Sequence, residues 1–229
     1  QLAPDEEAQK ILMTGLQQAF QGATIPPLPP SLTKAMDEYS KKAGDSDLVL
    51  GVQRGDKEAL KKAVTVVKDP KADIIERTEL AKLFGDVGDK SVVAPLLAVL
   101  AQDQQSALKR VALQSLANYD DPSIAKTILA RYGRSLPAEH NVRSTADRVL
   151  ASRKDWAKAF LAQVDAWVIK ARDIDPDVVQ QLKLHNDGEI NALVAKHWPD
   201  MRAQPAAAKL EEIQRISDLL KKGGGDAEN

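Results

Sequence analysis

Segments of this chain recur at an interval of 33 residues. Five positions at this spacing each follow a short break in the apolar pattern: Asp56, Asp89, Pro122, Asp155 and Gly188. Between the breaks an arginine recurs with the same period, as Arg77, Arg110 and Arg143. Such a period is typical of repeat proteins, in which each unit buries its apolar face against its neighbours. The periodicity therefore predicts a stack of similar units, which offers extended surfaces more often than an enclosed active site.

The composition and the apolar pattern both favour helices. Hydrophobic residues make up 43% of the chain but aromatic residues only 4%, whereas a β-sandwich favours aromatic and β-branched side chains. In the first segment of two successive units the apolar residues have identical offsets, in Ala59, Leu60, Ala63, Val64 and Val67 and in Val92, Val93, Leu96, Leu97 and Leu100. These offsets place the apolar side chains on one face of a helix. The first segment of each unit is therefore predicted to be an α-helix.

The second segment of each unit begins near the recurring arginine. Three and six residues after it come apolar positions, occupied by Leu80, Leu113 and Ala146 and by Leu83, Leu116 and Val149. The signatures of tetratricopeptide and ankyrin repeats are missing. The pattern resembles HEAT repeats over residues 47–200, most closely at residues 142–150. This resemblance implies an all-α protein, an α-α superhelix (an ARM/HEAT-like solenoid) of about four to five helix pairs.

The pattern divides the chain into three parts. They are N-terminal helices with a Pro-rich connector, the HEAT-like repeats, and a C-terminal helix with a flexible Gly-rich exit, at residues 1–46, 47–204 and 205–229. In the first part we expect helices at 5–22 and 32–42, the second with Ser31 as its N-cap. The chain begins at Gln1 without a signal peptide, so we interpret it as a processed chain or a piece of a longer protein.

Charge and residue content exclude several functions. The 32 basic and 33 acidic residues give a net charge of -1, which lacks the basic excess of a typical nucleic-acid-binding domain. Without cysteine the chain cannot form disulfides, thiolate metal sites or a covalent haem attachment. His185 and His197 are 12 residues apart, which is not a helical pairing for a metal. No apolar run reaches the length of a transmembrane helix. We therefore expect no catalytic, cofactor-binding or metal-binding residues within the chain.

The recurring polar residues have two possible roles. The arginines could contact a ligand, or they could cap or pair with the aspartates at the breaks and so connect neighbouring units. We favour the structural role, because a ligand site has no need to recur in register. The predicted structural ladder consists of Arg77, Arg110, Arg143, Asp56, Asp89 and Asp155.

Residues 141–172 combine basic and aromatic side chains, which is what a nucleic-acid groove requires. The candidate surface residues are Lys154, Trp156, Lys158, Asp165 and Trp167. The alternative is an ordinary amphipathic helix, with Trp156 in the core and the lysines in water, and we favour it. The segment also resembles alkylpurine DNA glycosylases, which are built of HEAT-like repeats with Trp and Asp in their site. That resemblance implies Asp165 and Trp167 as the pair, although such an enzyme should be markedly basic.

The C-terminal third carries a second resemblance. Residues 182–194 with Lys196-His197-Trp198, and residues 209–213 with Gly224-Gly225-Asp226, resemble one group of multidomain proteins. These are haem-binding CxxCH proteins of the Planctomycetes–Verrucomicrobia group, described as membrane-bound dehydrogenases. In that family a β-propeller precedes HEAT repeats and a small c-type cytochrome domain follows them. The resemblance implies that haem c is bound in a following domain, beyond Asn229.

Together these observations predict a non-enzymatic scaffold or spacer that binds other proteins. The expected partners are neighbouring domains of the same polypeptide or another protein, and the chain itself is expected to be monomeric. Nucleic acid is not an expected partner. The resemblance places the protein in the periplasm or outside the cell, with the cytoplasm as the alternative, and makes the parent an oxidoreductase. The competing functions are a DNA glycosylase and a free-standing adaptor.

Overall fold

A computed structural model of the chain describes residues 5–19, 28–43, 48–102, 105–199 and 214–218. Within these ranges it contains α-helices and three short 3-10 helices, and no β-strand. The helices are α1 Glu6–Ala19, α2 Pro30–Ala43, α3 Leu48–Gln53, α4 Lys57–Lys68, α5 Ile74–Leu83, α6 Val93–Gln102, α7 Ser106–Leu116, α8 Pro122–Arg131, α9 Val142–Ala151, α10 Lys154–Asp165, α11 Pro176–Lys183 and α12 Gly188–His197. The 3-10 helices are Lys90–Val92, Glu139–Asn141 and Ala171–Asp173. The prediction of an all-α protein is confirmed.

The N-terminal helices differ from the prediction at one boundary. Helix α2 begins at Pro30, so the prediction of Ser31 as its N-cap was wrong. The backbone amides of Leu32 and Thr33 donate to the Pro29 carbonyl, which makes Pro30 the first helical residue. Proline is tolerated there because the first amide of a helix has no acceptor within it. Residues 20–27 and 44–47, with most of the connector, lie outside the described residues, as do the predicted C-terminal helix beyond 214–218 and the Gly-rich exit.

The breaks between segments contain helix caps. Asp56 accepts hydrogen bonds from the amides of Glu58 and Ala59 at the start of α4, and Asp187 caps α12 in the same way. Asp89 caps the 3-10 helix that leads into α6. These carboxylates satisfy amides that have no partner within the helix. Asp155 is not a cap: it is the second residue of α10, in the first turn, and the N-cap residue of that helix is Arg153.

The helices pack in two series. The first helices of the units, α4, α6, α8, α10 and α12, each contact the next in the series, and so do the second helices, α5, α7, α9 and α11. Contacts also join the two helices within a unit, as between α4 and α5 and between α6 and α7. The buried apolar residues from Val52 to Val194 belong to one cluster, so each unit shares its core with its neighbours.

Hydrogen bonds between units join the ends of the second helices. Ser115 Oγ donates to the Ala81 carbonyl at 2.7 Å, and Asn118 Nδ2 donates to the Gly85 carbonyl at 3.0 Å. The Tyr119 hydroxyl donates to the Phe84 carbonyl. All three acceptors lie at the C-terminal end of α5, where carbonyl groups have no amide partner within the helix.

The same arrangement recurs two periods later. Gln181 Nε2 donates to the Arg148 carbonyl at 3.3 Å, and His185 Nε2 lies 2.8 Å from the Ala151 carbonyl oxygen. Because a carbonyl oxygen can only accept, His185 carries its proton on Nε2. Gln181 and His185 occupy the positions in the repeat that Ser115 and Tyr119 occupy two units earlier. These bonds from side chains to carbonyl groups form a carbonyl ladder, which we define as the bonds donated by Ser115, Asn118, Tyr119, Gln181 and His185.

A glycine allows α5 and α7 to approach closely at this ladder. A Cβ atom at Gly85 would lie 3.1 Å from both Cα and Oγ of Ser115 and 3.2 Å from the Lys82 carbonyl oxygen. Two of these three atoms belong to the backbone and cannot rotate away. The small residue therefore sets the distance at which Ser115 reaches the Ala81 carbonyl.

We expect Gly85→Ala to lower the free energy of unfolding by about 1–3 kcal/mol, because the added methyl group overpacks a helix contact. Urea unfolding followed by circular dichroism measures the change. Gly188→Ala is the matched control, since a Cβ atom there meets nothing within 4 Å. An equal stability of the Gly85 variant and the control would contradict this account of the α5–α7 contact.

Candidate functional site

The recurring arginines lie at the starts of the second helices. Arg77 is 3% exposed, and its Nε and Nη2 atoms donate to the Val67 carbonyl at 3.1 and 2.9 Å. It therefore fixes the C-terminal end of α4, the preceding helix of its own unit. The Nε atoms of Arg110 and Arg143 are buried without a hydrogen-bond partner among the described residues. The Arg143 guanidinium lies 5.6 Å from the centre of the Tyr132 ring, a cation–π contact.

The two candidate lysines are engaged in ion pairs. Lys158 Nζ lies 2.7 Å from a carboxylate oxygen of Glu189 and 3.4 Å from one of Asp187, and Lys154 Nζ lies 3.7 Å from Asp187. These pairs link α10 to the start of α12. The charges of Lys154 and Lys158 are thus largely offset by the neighbouring unit.

The structure separates the two candidate tryptophans. Trp156 is buried in the shared core, together with Phe160 and Leu161, as the amphipathic interpretation of α10 predicts. Trp167 follows the end of α10 and is 77% exposed. The two indoles therefore do not form one stacking surface along a basic helix. Of the pair, Trp167 is the one whose indole is largely exposed to solvent.

Trp167 borders a groove between the end of α10 and the end of α12. The groove has a volume of about 780 Å³. The side chains that matter for its chemistry are Trp167, Lys170, Arg172, Lys196, His197 and Trp198, and we call it the tryptophan groove. Cavities of this size hold small-molecule ligands in many proteins. The tryptophan groove is therefore the candidate functional site of the described chain.

Asp165 organises the charged wall of the tryptophan groove. Its Oδ1 atom lies 2.5 Å from Lys196 Nζ and 2.8 Å from His197 Nε2. The hydrogen bond from Lys196, followed by that from His197, holds the pKa of Asp165 below its usual range. The ionised carboxylate orients the His197 ring, whose side chain is only 5% exposed. The structure thus brings the predicted residues Asp165 and Trp167 to one site.

Aromatic contacts fix the floor of the groove. The His197 ring centre lies 6.0 Å from that of Trp167 and 6.0 Å from that of Trp198, edge to face in both cases. Trp198 Nε1 donates to the Ala171 carbonyl at 3.1 Å, which anchors that indole. Sequence reasoning missed His197 and Trp198 as groove residues, because a contact between the ends of α10 and α12 has no local signal in the sequence.

A buried carboxyl group lies at a second location, between α8 and α9. Asp147 is 1% exposed, and its Oδ1 atom accepts a hydrogen bond from the Tyr132 hydroxyl at 2.7 Å. Burial raises the pKa of Asp147 to about 7, although Tyr132 and then Arg143 oppose the shift. Burial and the nearby Asp147 charge also raise the pKa of Tyr132. The sequence placed Asp147 in a helical repeat without distinguishing it from a surface acid.

Two further observations concern only the described residues. They contain no group of three or more histidine, cysteine, aspartate or glutamate residues placed to hold a metal ion. None of their helices is long and apolar enough to cross a membrane.

Known proteins offer no relative from which a role could be transferred. No protein-family model, curated protein or solved structure matches this chain. The resemblances to HEAT repeats and to haem-binding multidomain proteins stay predictions from the sequence. The tryptophan groove must be interpreted from its own geometry.

We expect stability to depend on the Asp147 carboxyl group between about pH 4 and pH 7. In this range the folded chain keeps a proton that the unfolded chain, with an ordinary aspartate pKa, has released. The free energy of unfolding therefore falls as the pH rises through this window, with a slope of at most about 1.4 kcal/mol per pH unit from this group. Asp147→Asn removes that contribution to the slope, which urea unfolding at several pH values measures.

The control for this experiment is Asp155→Asn, which replaces an exposed carboxylate in the first turn of α10. That variant should keep the pH dependence of the parent chain between pH 4 and pH 7. If Asp147→Asn and the parent chain show parallel curves over the same range, the buried carboxyl group does not carry the effect.

Proposed function

We propose that this chain is a non-catalytic scaffold, a HEAT-like α-solenoid that holds neighbouring domains in a fixed relation and offers them a docking surface. The observation that carries the proposal is the packing of the helices in two series, each helix against its counterpart in the next unit. In such an array every unit contacts only its neighbours, and orientation is passed along the chain from unit to unit.

The contacts between units support a stiff array. The carbonyl ladder joins the second helices at the α5–α7 and α9–α11 contacts. On the other side, ion pairs from Lys158 connect α10 to α12. A bend between units would have to break hydrogen bonds at one helix series and uncover shared apolar core. These contacts therefore oppose bending at the unit boundaries where they occur.

The proposed parent is a larger exported protein of dehydrogenase type. Its support is the resemblance of residues 182–198 and 209–226 to haem-binding CxxCH proteins. The scaffold would then separate a propeller from a cytochrome domain that carries haem c, at a distance suited to electron transfer. Reading the parent gene beyond codon 229 tests this: a CxxCH motif within the next few dozen codons supports the parent, and a stop codon contradicts it.

A DNA glycosylase is the second candidate, favoured by the position of Asp165 and Trp167 at one groove. Two observations oppose it, the net charge of -1 and the engagement of Asp165 with Lys196 and His197. A glycosylase should bind duplex DNA with a steep salt dependence and release alkylated purines. A scaffold should do neither. Replacement of Asp165 by Asn would abolish base release only under the second function.

We expect the helix array to hold its ends at one distance. The chain lacks cysteine, so Lys82→Cys with Gln180→Cys places spin labels at two exposed sites only, on α5 and α11. Pulsed electron paramagnetic resonance should give a single narrow distance distribution for this pair. The matched control is Lys82→Cys with Gln114→Cys on α7, which reports on neighbouring helices. A broad distribution for the long pair beside a narrow control would show a hinge and contradict the scaffold.

A further inference from the structure

The backbone at Trp167 is unfavourable for its residue type. Trp167 has a φ of 61°, in the left-handed region that glycine occupies most easily. Its amide donates to the Val164 carbonyl, and the next amide, of Val168, donates to the Gln163 carbonyl. This is the helix C-terminal motif in which glycine normally stands at the position of Trp167. A residue with a side chain is less stable in this conformation than in right-handed backbone.

The side chain of Trp167 does not recover this cost by burial. Its indole is 77% exposed, the highest value among the described tryptophans. Val168 beside it is 68% exposed. A glycine at position 167 would satisfy the same hydrogen bonds without exposing an aromatic ring to water. The described residues therefore do not explain Trp167, and a ligand that covers the indole would.

The other walls of the tryptophan groove are rigid. The Asp165 carboxylate orients His197, and the Ala171 carbonyl holds Trp198 through its indole N–H. His197 contacts both indole rings edge to face, so Trp167 stands against a fixed aromatic partner. One face of an exposed indole in this position is a stacking surface for a planar ring.

Among the described residues, cations outnumber carboxylates around the groove. Lys170, Arg172 and Lys196 line it. Two described carboxylates pair with these cations, Asp165, 2.5 Å from Lys196, and Asp173, 3.7 Å from Arg172. Arg172 is 79% exposed at its side chain, so its planar guanidinium is accessible to an incoming anion. The remaining positive charge favours a ligand with an anionic group.

We propose that the tryptophan groove binds an aromatic anion of the nucleoside phosphate class. The planar base stacks on Trp167, and the phosphate pairs with Lys170 and Arg172. The site goes beyond the scaffold role and does not depend on it. A nucleoside phosphate occurs both as a free nucleotide and at the end of a single-stranded nucleic acid, and both present the same chemistry to the groove.

Each half of the ligand is required by a different part of the groove. A neutral ring would stack on Trp167 but would make no ionic contact with Lys170 and Arg172. An inorganic anion would meet the cations, which are exposed to water and bind a lone anion weakly. Only a molecule that carries both a planar ring and an anionic group contacts Trp167 and the cations at the same time. Binding should therefore be much tighter for the nucleotide than for either of its parts.

The test uses AMP, adenosine and inorganic phosphate as probes with the full chain. The three tryptophans give three indole N–H signals in a nitrogen–proton correlation spectrum, and the buried Trp156 serves as an internal reference. AMP should shift the signals of Trp167 and Trp198 saturably and leave that of Trp156 in place. Adenosine and phosphate alone should each bind at least about tenfold more weakly, which is 1.4 kcal/mol.

The decisive variant is Trp167→Gly. It should weaken AMP binding by at least about tenfold while the melting temperature stays equal or rises, because glycine suits the left-handed backbone. Leu184→Ser is the control, since Leu184 is an equally exposed apolar residue, 78%, that does not line the groove. This control should bind AMP as the parent chain does. The distances between spin labels on α5 and α11 should be unchanged in both variants. Loss of AMP binding is therefore distinguishable from failure of the scaffold.

A ten-residue oligodeoxyadenylate separates the two sources of the ligand. Tighter binding of the oligonucleotide than of AMP, with a steep salt dependence, assigns the groove to single strands, and equal or weaker binding assigns it to a free nucleotide. The proposal is overturned if neither probe gives a saturable shift at millimolar concentration. It is equally overturned if Trp167→Gly binds AMP with unchanged affinity.

Discussion

The unpaired carbonyl groups at the ends of the second helices are the constraint on which the array depends. A helix leaves its last carbonyls without amide partners, and burial between units removes water as an alternative donor to them. At the end of α5 these groups accept from Ser115, Asn118 and Tyr119 of the following unit. At this contact the following unit thus completes the hydrogen bonding of its predecessor, and replacing its donors by apolar side chains would leave the buried carbonyls of Ala81 and Phe84 without a partner.

The apolar core and the carbonyl ladder have different roles in the stacking of the units. The apolar residues from Val52 to Val194 fill the space between the helix series, which sets how closely the units stack. The carbonyl ladder then fixes their register, because its bonds are directional while apolar contacts are not. Gly85 contributes both to the close packing of the units and to the carbonyl ladder. It allows the close approach of Ser115, and its own carbonyl accepts a hydrogen bond from Asn118.

The period, the first-helix stripe and the capping aspartates were accessible from the sequence because they are local patterns. Asp56 and Asp89 follow from cap chemistry, and the burial of Trp156 follows from helical spacing. The donors of the carbonyl ladder were not accessible from the sequence, since Tyr119 and His185 share a repeat position but not a residue type. Their acceptors are backbone carbonyls, which any residue supplies. Proline at the start of α2 was misread because it suits an extended connector and a first helical turn equally well.

The near-zero net charge does not describe how charge is distributed over the surface. Opposite charges cancel in the sum, yet Lys158 of α10 pairs with Glu189 of α12, while Lys170 and Arg172, which follow α10, line the tryptophan groove. Trp167 stands beside these cations in a backbone conformation that favours glycine and with its indole in water. The tryptophan at position 167 is unfavourable for the backbone, is not buried and lies next to locally unbalanced charge. This combination indicates that ligand binding, rather than the stability of the fold, determines the residue at this position.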